Sequence, residues 1–129
     1  MTTSAVLTSD YDNRAREVHR WSVWEKKLTF IWETGDGHAE QQVALPLNGI
    51  LLSIVMKVSS VTGDPDVTLT LDDNDDNEMF SITEDDGATY YYWWWFDVLQ
   101  GTMDVGVNPS ADPGGAAQTL TVTVWLRGI

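Results

Sequence analysis

The sequence predicts an all-β fold: a single antiparallel β-sandwich, jelly-roll-like, with an extended N-terminal arm. Three observations predict it. Apolar residues recur with period two along most of the chain, which is the pattern of half-buried strands. Clusters of Gly, Pro, Asn and Asp interrupt that pattern roughly every eight to twelve residues. No segment shows a helical period of useful length. The expected division is an arm over residues 1–15 and a sandwich over residues 16–129.

The elements follow in order. Met1 to Asn13 is rich in Thr, Ser, Asp and Asn, has no sustained period, and reads as an arm. A free arm is disordered, so an ordered one needs a surface to lie on. From Arg14 to Glu33 the pattern is mixed, with Trp21, Val23 and Trp24 interrupting charged residues, open to a twisted edge strand or a short helix, with strand favoured; Lys27 to Glu33 is clearer. Leu28, Phe30 and Trp32 then alternate with Thr29, Ile31 and Glu33, and Thr34 to Gly37 makes a hairpin turn. His38 to Leu45 returns as a strand with Val43 and Leu45 inward, and Pro46 ends it.

The stretch Gly49–Asp72 is the centre of the chain. Ile50, Leu52, Ile54, Met56 and Val58 are expected on one face, with Leu51, Ser53, Val55, Lys57 and Ser59 on the other. A loop holding Gly63, Asp64 and Pro65 joins this strand to a second, in which Val67, Leu69 and Leu71 face inward. The acidic run Asp72–Glu78 separates that strand from one marked by Met79, Phe80 and Ile82. Tyr90 to Phe96 is seven aromatics in succession. As a strand it puts Tyr91, Trp93 and Trp95 on one side and Tyr90, Tyr92, Trp94 and Phe96 on the other. Only one set can enter a core. Met103, Val105 and Val107 mark the next strand, and a Pro- and Gly-containing loop follows over 110–118. The last strand turns Leu120, Val122, Val124 and Leu126 inward and Thr119, Thr121, Thr123, Trp125 and Arg127 outward.

Composition narrows the function classes. The chain has 129 residues and no cysteine, which excludes disulfides and thiolate metal sites. No run has signal-peptide or membrane-spanning character, so neither standard secretion nor a membrane partner is expected. The formal net charge of −13 disfavours phosphate-mediated nucleic-acid binding. Charge is uneven: residues 1–27 carry a net +1, and the remainder carries −14. A mildly basic leader with Arg14, Arg16 and Arg20 can dock on an acidic surface, its own or a neighbour's.

Chemistry-bearing motifs are sparse. His19 and His38 are the only histidines, and nothing local pairs either with a nucleophile. The chain is therefore read as not an enzyme, without a required cofactor. A small hydrolase would need a spatial carboxylate pair that sequence does not reveal. Asp72, Asn74 and Asp76 have the D-x-N-x-D spacing of a calcium loop, but the sixth position is Asn77 and the twelfth Thr83, so the bidentate ligand is lost. These three are calcium candidates set against a plain solvated hairpin. Surplus aromatics point to contact surfaces, by stacking on sugars or by burial against protein.

The residues Gly49-Ile50-Leu51, Gly63-Asp64-Pro65, Thr68-Leu69-Thr70-Leu71-Asp72-Asp73, Asp104-Val105-Gly106-Val107-Asn108 and Thr121-Val122-Thr123-Val124-Trp125-Leu126-Arg127 carry a resemblance. Residues 45–129 resemble small β-sandwich structural proteins of tailed bacteriophages. The acidic run and the aromatic run are not part of that likeness. The resemblance implies a virion component made in the host cytoplasm. Its first form is a capsid decoration (cement) protein on the shell surface, with the major capsid protein and its own copies, as a homotrimer, for partners. Alternatives are a head–tail connector or tail component, or a carbohydrate-binding or receptor-binding module. The residues expected to make contacts are Arg14, Arg16, Arg20, Tyr92, Trp94 and Trp125.

Overall fold

A computed structural model describes residues 3–12 and 23–129, with the side chains of residues 12 and 94–96 outside the description. Nine strands are described, in chain order β1 (Ser4–Asp12), β2 (Trp24–Glu33), β3 (Gln41–Pro46), β4 (Gly49–Val58), β5 (Asp66–Asp72), β6 (Glu78–Asp85), β7 (Thr89–Leu99), β8 (Thr102–Pro109) and β9 (Thr119–Gly128). Among the described residues there is no helix, and hence none long and apolar enough to cross a membrane.

The strands form two antiparallel sheets, ordered β1-β2-β9-β4-β7 and β3-β8-β5-β6. Read from β2 to β9 this is a jelly roll: the chain passes back and forth between the sheets, and only β5–β6 forms a hairpin within one. Two sequence expectations change accordingly. The Thr34–Gly37 turn is a corner between sheets, and β4 and β5, expected as a pair, lie in different sheets. Turn residues encode a reversal of direction. They do not encode whether the next strand hydrogen-bonds to the last or faces it across the core.

Apolar alternation places the core. Leu28, Phe30 and Trp32 of β2, Leu120, Val122, Val124 and Leu126 of β9, and Ile54, Met56 and Val58 of β4 meet Val67, Leu69 and Leu71 of β5 and Met103, Val105 and Val107 of β8, all essentially inaccessible to solvent. Each such side chain contributes roughly 1.5–3 kcal/mol of burial free energy. The expected phase of β4 holds only from Ile54 onward. A bulge at Leu52, between the register pairs Leu51↔Gly128 and Ser53↔Arg127, inserts one residue. Leu51, rather than Ile50 or Leu52, therefore reaches the core. One extra residue shifts every side chain before it to the other face.

Within the stretch expected as an arm, Ser4–Asp12 is strand β1, hydrogen-bonded along the edge of β2. The surface this segment lies on is the sandwich's own sheet edge. Its weak period fits its place: an edge strand buries little, and Val6, Leu7 and Tyr11 remain exposed.

Loop ends are tied by side chains. Asp112 Oδ2 accepts the backbone N–H of Gly35 and of Gly37, each at 3.1 Å, and its Oδ1 accepts that of Gly114 at 2.9 Å, joining the β2–β3 corner to the β8–β9 loop. These donors hold the Asp112 carboxyl below its ordinary range.

Candidate functional site

The outer face of the five-stranded sheet carries the most distinctive surface. Period-two alternation turns Lys27 of β2, Trp125 of β9, Val55 of β4 and Tyr91 of β7 outward, and the register sets them side by side: Lys27↔Trp125, Val55↔Trp125, Val55↔Tyr91. On one side of this row lie Glu25, Arg127, Ser53 and Trp93. On the other lie Thr29, Thr123, Lys57 and Thr89. The result is a three-row grid across four strands.

In the central row Val55 forms a floor, 5 % exposed although it points away from the core. Tyr91 and Trp125 stand on either side of it. With Lys57, Thr89 and Arg127 they line an open depression of about 300 Å³. Tyr91 and Trp93, 58 % and 62 % exposed, stack with ring centroids 5.9 Å apart and planes within 5°. The Lys27 ammonium sits 5.6 Å from the Trp125 ring centroid, a cation–π contact that holds the indole. Arg127 Nε donates to Glu25 Oε2 at 2.7 Å, an exposed ion pair in the flanking row. A second apolar depression, bounded by Tyr11, Trp24, Leu52, Arg127 and Ile129, opens beside the bulge. Aromatic area, an apolar floor and neighbouring cations give this face the chemistry of a contact surface for an anionic or amphipathic group.

The expected contact residues divide three ways. Trp125 lies at the centre of the grid. Tyr92 lies on the other side of β7: its ring packs on the core, and its phenol donates to Glu84 Oε1 at 2.7 Å. Burial and that carboxylate push its pKa well above the ordinary tyrosine value. The exposed aromatics of this strand are its neighbours Tyr91 and Trp93. Arg14, Arg16, Arg20 and the Trp94 side chain lie outside the described residues, as does His19. The sequence put Trp125 on an outward face and Tyr91 and Trp93 on one face of their strand, but the contact residues expected there, Tyr92 and Trp94, belong to the opposite face. Period two does not say which face of β7 meets the core, and the register that brings Tyr91 and Trp125 together around Val55 and Lys57 is tertiary.

The acidic run forms the β5–β6 hairpin tip. Asp73, between the calcium candidates Asp72 and Asn74, organises it. Its carboxylate accepts Asp75 N–H, Asn77 N–H and Asn77 Nδ2–H, each at 2.9 Å, which lowers its pKa. The candidate Asp76 takes a left-handed φ of 61° there. Among the described residues no group of three or more His, Cys, Asp or Glu side chains is placed to hold a metal ion. A second acidic group joins the β4–β5 loop to the β6–β7 turn. Asp64 stands by Asp86, and Asp66 opposite its register partner Asp85; hydrogen-bond sharing with these carboxyls and their charge raise the pKa of Asp64 and Asp66. His38 Nδ1 lies 3.1 Å from the Pro109 carbonyl oxygen, a loop contact.

No family model and no curated protein matches the chain. Among solved structures it is similar to a Yersinia pseudotuberculosis-derived mitogen, with 11 % identity over 80 % of this chain and 86 % of the other and a TM-score of 0.43. It is also similar to one of the carbohydrate-binding modules from the β-sandwich superfamily, with 14 % identity over 97 % of this chain and 56 % of the other and a TM-score of 0.42. A third is the enzymatically active domain of bacteriophage CBA120 tailspike protein 4, with 11 % identity over 98 % of this chain, 19 % of the other and a TM-score of 0.35. The likeness lies in the β-sandwich fold alone.

Proposed function

We propose that this protein is a non-enzymatic structural component that works by adhesion, its place being the virion of a tailed phage. There it acts as a capsid decoration protein that seats on the outer shell and bridges capsid subunits. The observation that carries the reading is the transverse row Lys27, Trp125, Val55 and Tyr91 with the Tyr91–Trp93 stack beside it. Large rings held upright by their neighbours lose little entropy on contact, and such rings supply most of the energy of protein interfaces. The likeness of residues 45–129 to phage sandwich proteins supplies the setting.

The test is add-back of purified protein to phage shells that lack it. The double variant Tyr91→Ala with Trp125→Ala should lose occupancy at least tenfold while retaining its fold. Unchanged occupancy would overturn the reading of this face. Replacing Arg14, Arg16 and Arg20 together by Ala should weaken attachment through the leader.

The depression supports a second reading, as a carbohydrate- or receptor-binding module, because two rings over an apolar floor can grip a sugar ring. Glycan-array binding abolished by Trp125→Ala, with no affinity for shells, would favour it.

A further inference from the structure

Resting on the reading of the outer face as a protein contact, we propose that its occupant is a second copy of this chain, whose acidic β5–β6 hairpin tip enters the depression between Tyr91 and Trp125.

Charge placement is the first ground. The described residues include four Lys and Arg side chains, in a protein with a formal net charge of −13. Lys26 is buried against Asp10. The other three, Lys27, Lys57 and Arg127, all stand in the grid, where Glu25 is the one acid among its twelve positions. Among the described residues, the cationic surface is thus gathered around the exposed rings. Such a patch selects a negative partner and repels another cationic one. Two copies pairing face to face would set Lys27, Lys57 and Arg127 against their own equivalents, which disfavours the symmetric dimer.

The shape of the tip is the second ground. Asp72 to Glu78 holds five carboxylates in a narrow turn, and residues 74–78 are exposed. Three hydrogen bonds to the Asp73 carboxylate, together with Asp73 N–H to Asn77 O at 2.9 Å and Asp76 N–H to Asp73 O at 3.1 Å, fix its form before any contact. A preorganised tip sacrifices little entropy on insertion. In the other acidic group, of Asp64, Asp66, Asp85 and Asp86, one carboxylate is already engaged in holding the β4–β5 loop: Asp86 Oδ2 accepts the Val61 N–H at 2.8 Å. The tip belongs to the four-stranded sheet and the depression to the outer side of the five-stranded one, with the core between them. A copy cannot fill its own depression, so the contact is head-to-tail. Such contacts close into rings when the rotation permits, which gives a decoration protein a multivalent unit.

A charge swap tests this by sedimentation equilibrium of the full chain. One variant carries Lys57→Glu and Arg127→Glu; the other carries Asp75→Lys and Glu78→Lys. All four positions are exposed, and the left-handed Asp76 is left alone. Wild type should associate, and each variant alone should dissociate at least tenfold more readily. An equimolar mixture should regain association, because each variant's face then meets a tip of opposite charge. If a double variant fails to fold, Lys57→Glu with Asp75→Lys repeats the swap. Three results overturn the proposal. One is a wild type that stays monomeric at every concentration yet still binds shells through Tyr91 and Trp125, which leaves the adhesive reading standing. Another is a pair of variants that associate like wild type. The third is a monomer whose tryptophan fluorescence responds to a uronic-acid oligosaccharide, which would assign the depression to a sugar and remove the adhesive reading with it.

Discussion

Lys26 Nζ lies 2.6 Å from Asp10 Oδ1, and this ion pair closes the inner side of β1 onto β2. Lys26 occupies a core-facing position between Trp24 and Leu28, with its side chain 10 % exposed, while Asp10 is 46 % exposed. Removing the acid strands an ammonium in a poorly solvated place. Asp10→Ala should therefore cost about 1–3 kcal/mol, measured by urea unfolding. The double variant Asp10→Leu with Lys26→Met should recover most of that loss, because it leaves no ammonium in that poorly solvated place. A double variant as unstable as Asp10→Ala would show that packing, not charge, sets the cost.

The paired acids predict an unusual response to pH. Asp64 and Asp66 have raised pKa values because each faces another carboxyl. A raised folded value means that their contribution is fully present below the unfolded value of 3.8 and is lost as pH rises through the folded value. Asp85→Asn should thus raise the melting temperature at neutral pH, and the gain should vanish in acid. A gain that persists unchanged at pH 3 would contradict the repulsion.

Asp112 predicts the opposite sign. Its carboxyl is held low by the N–H groups of Gly114, Gly35 and Gly37. Its contribution is present above the unfolded value of 3.8 and lost as pH falls through the folded one. Asp112→Ala should lower the melting temperature at pH 7, and the gap to wild type should close in acid. A gap independent of pH would mean that the loops are held by other contacts.

Gly128 packs where no side chain fits. An added Cβ would run into the Ile50 carbonyl oxygen and lie 2.6 Å from Cζ2 of Trp24. Gly128→Ala should cost about 1–3 kcal/mol by forcing β9 away from β4. Chemical denaturation checks it; a neutral result would show that the strand end yields freely.

Tyr92 separates structure from adhesion. Tyr92→Phe removes the hydrogen bond to Glu84 and should cost roughly 0.5–1.5 kcal/mol. It should leave attachment to shells unchanged, whereas Tyr91→Ala should do the reverse, because Tyr91 spends its ring on solvent.

The sequence by itself determined the all-β class, the sandwich, and the inward faces of β5, β8 and β9. Alternation in Val67-x-Leu69-x-Leu71 or Leu120-x-Val122-x-Val124-x-Leu126 is a local property, imposed by the pleat and readable without knowing any partner. It also told that Trp125 points outward. Only the tertiary structure decided which strands are neighbours, because a turn fixes direction and not sheet membership. The Leu52 bulge moved the start of β4 by one residue, and nothing in Ile50-Leu51-Leu52 distinguishes one phase from the other. The grid around Val55 joins residues 27, 55, 91 and 125 through pairings that skip long stretches of chain. Cross-strand register is a many-body outcome of core packing, so the surface that carries the proposed function could not be read from any single segment.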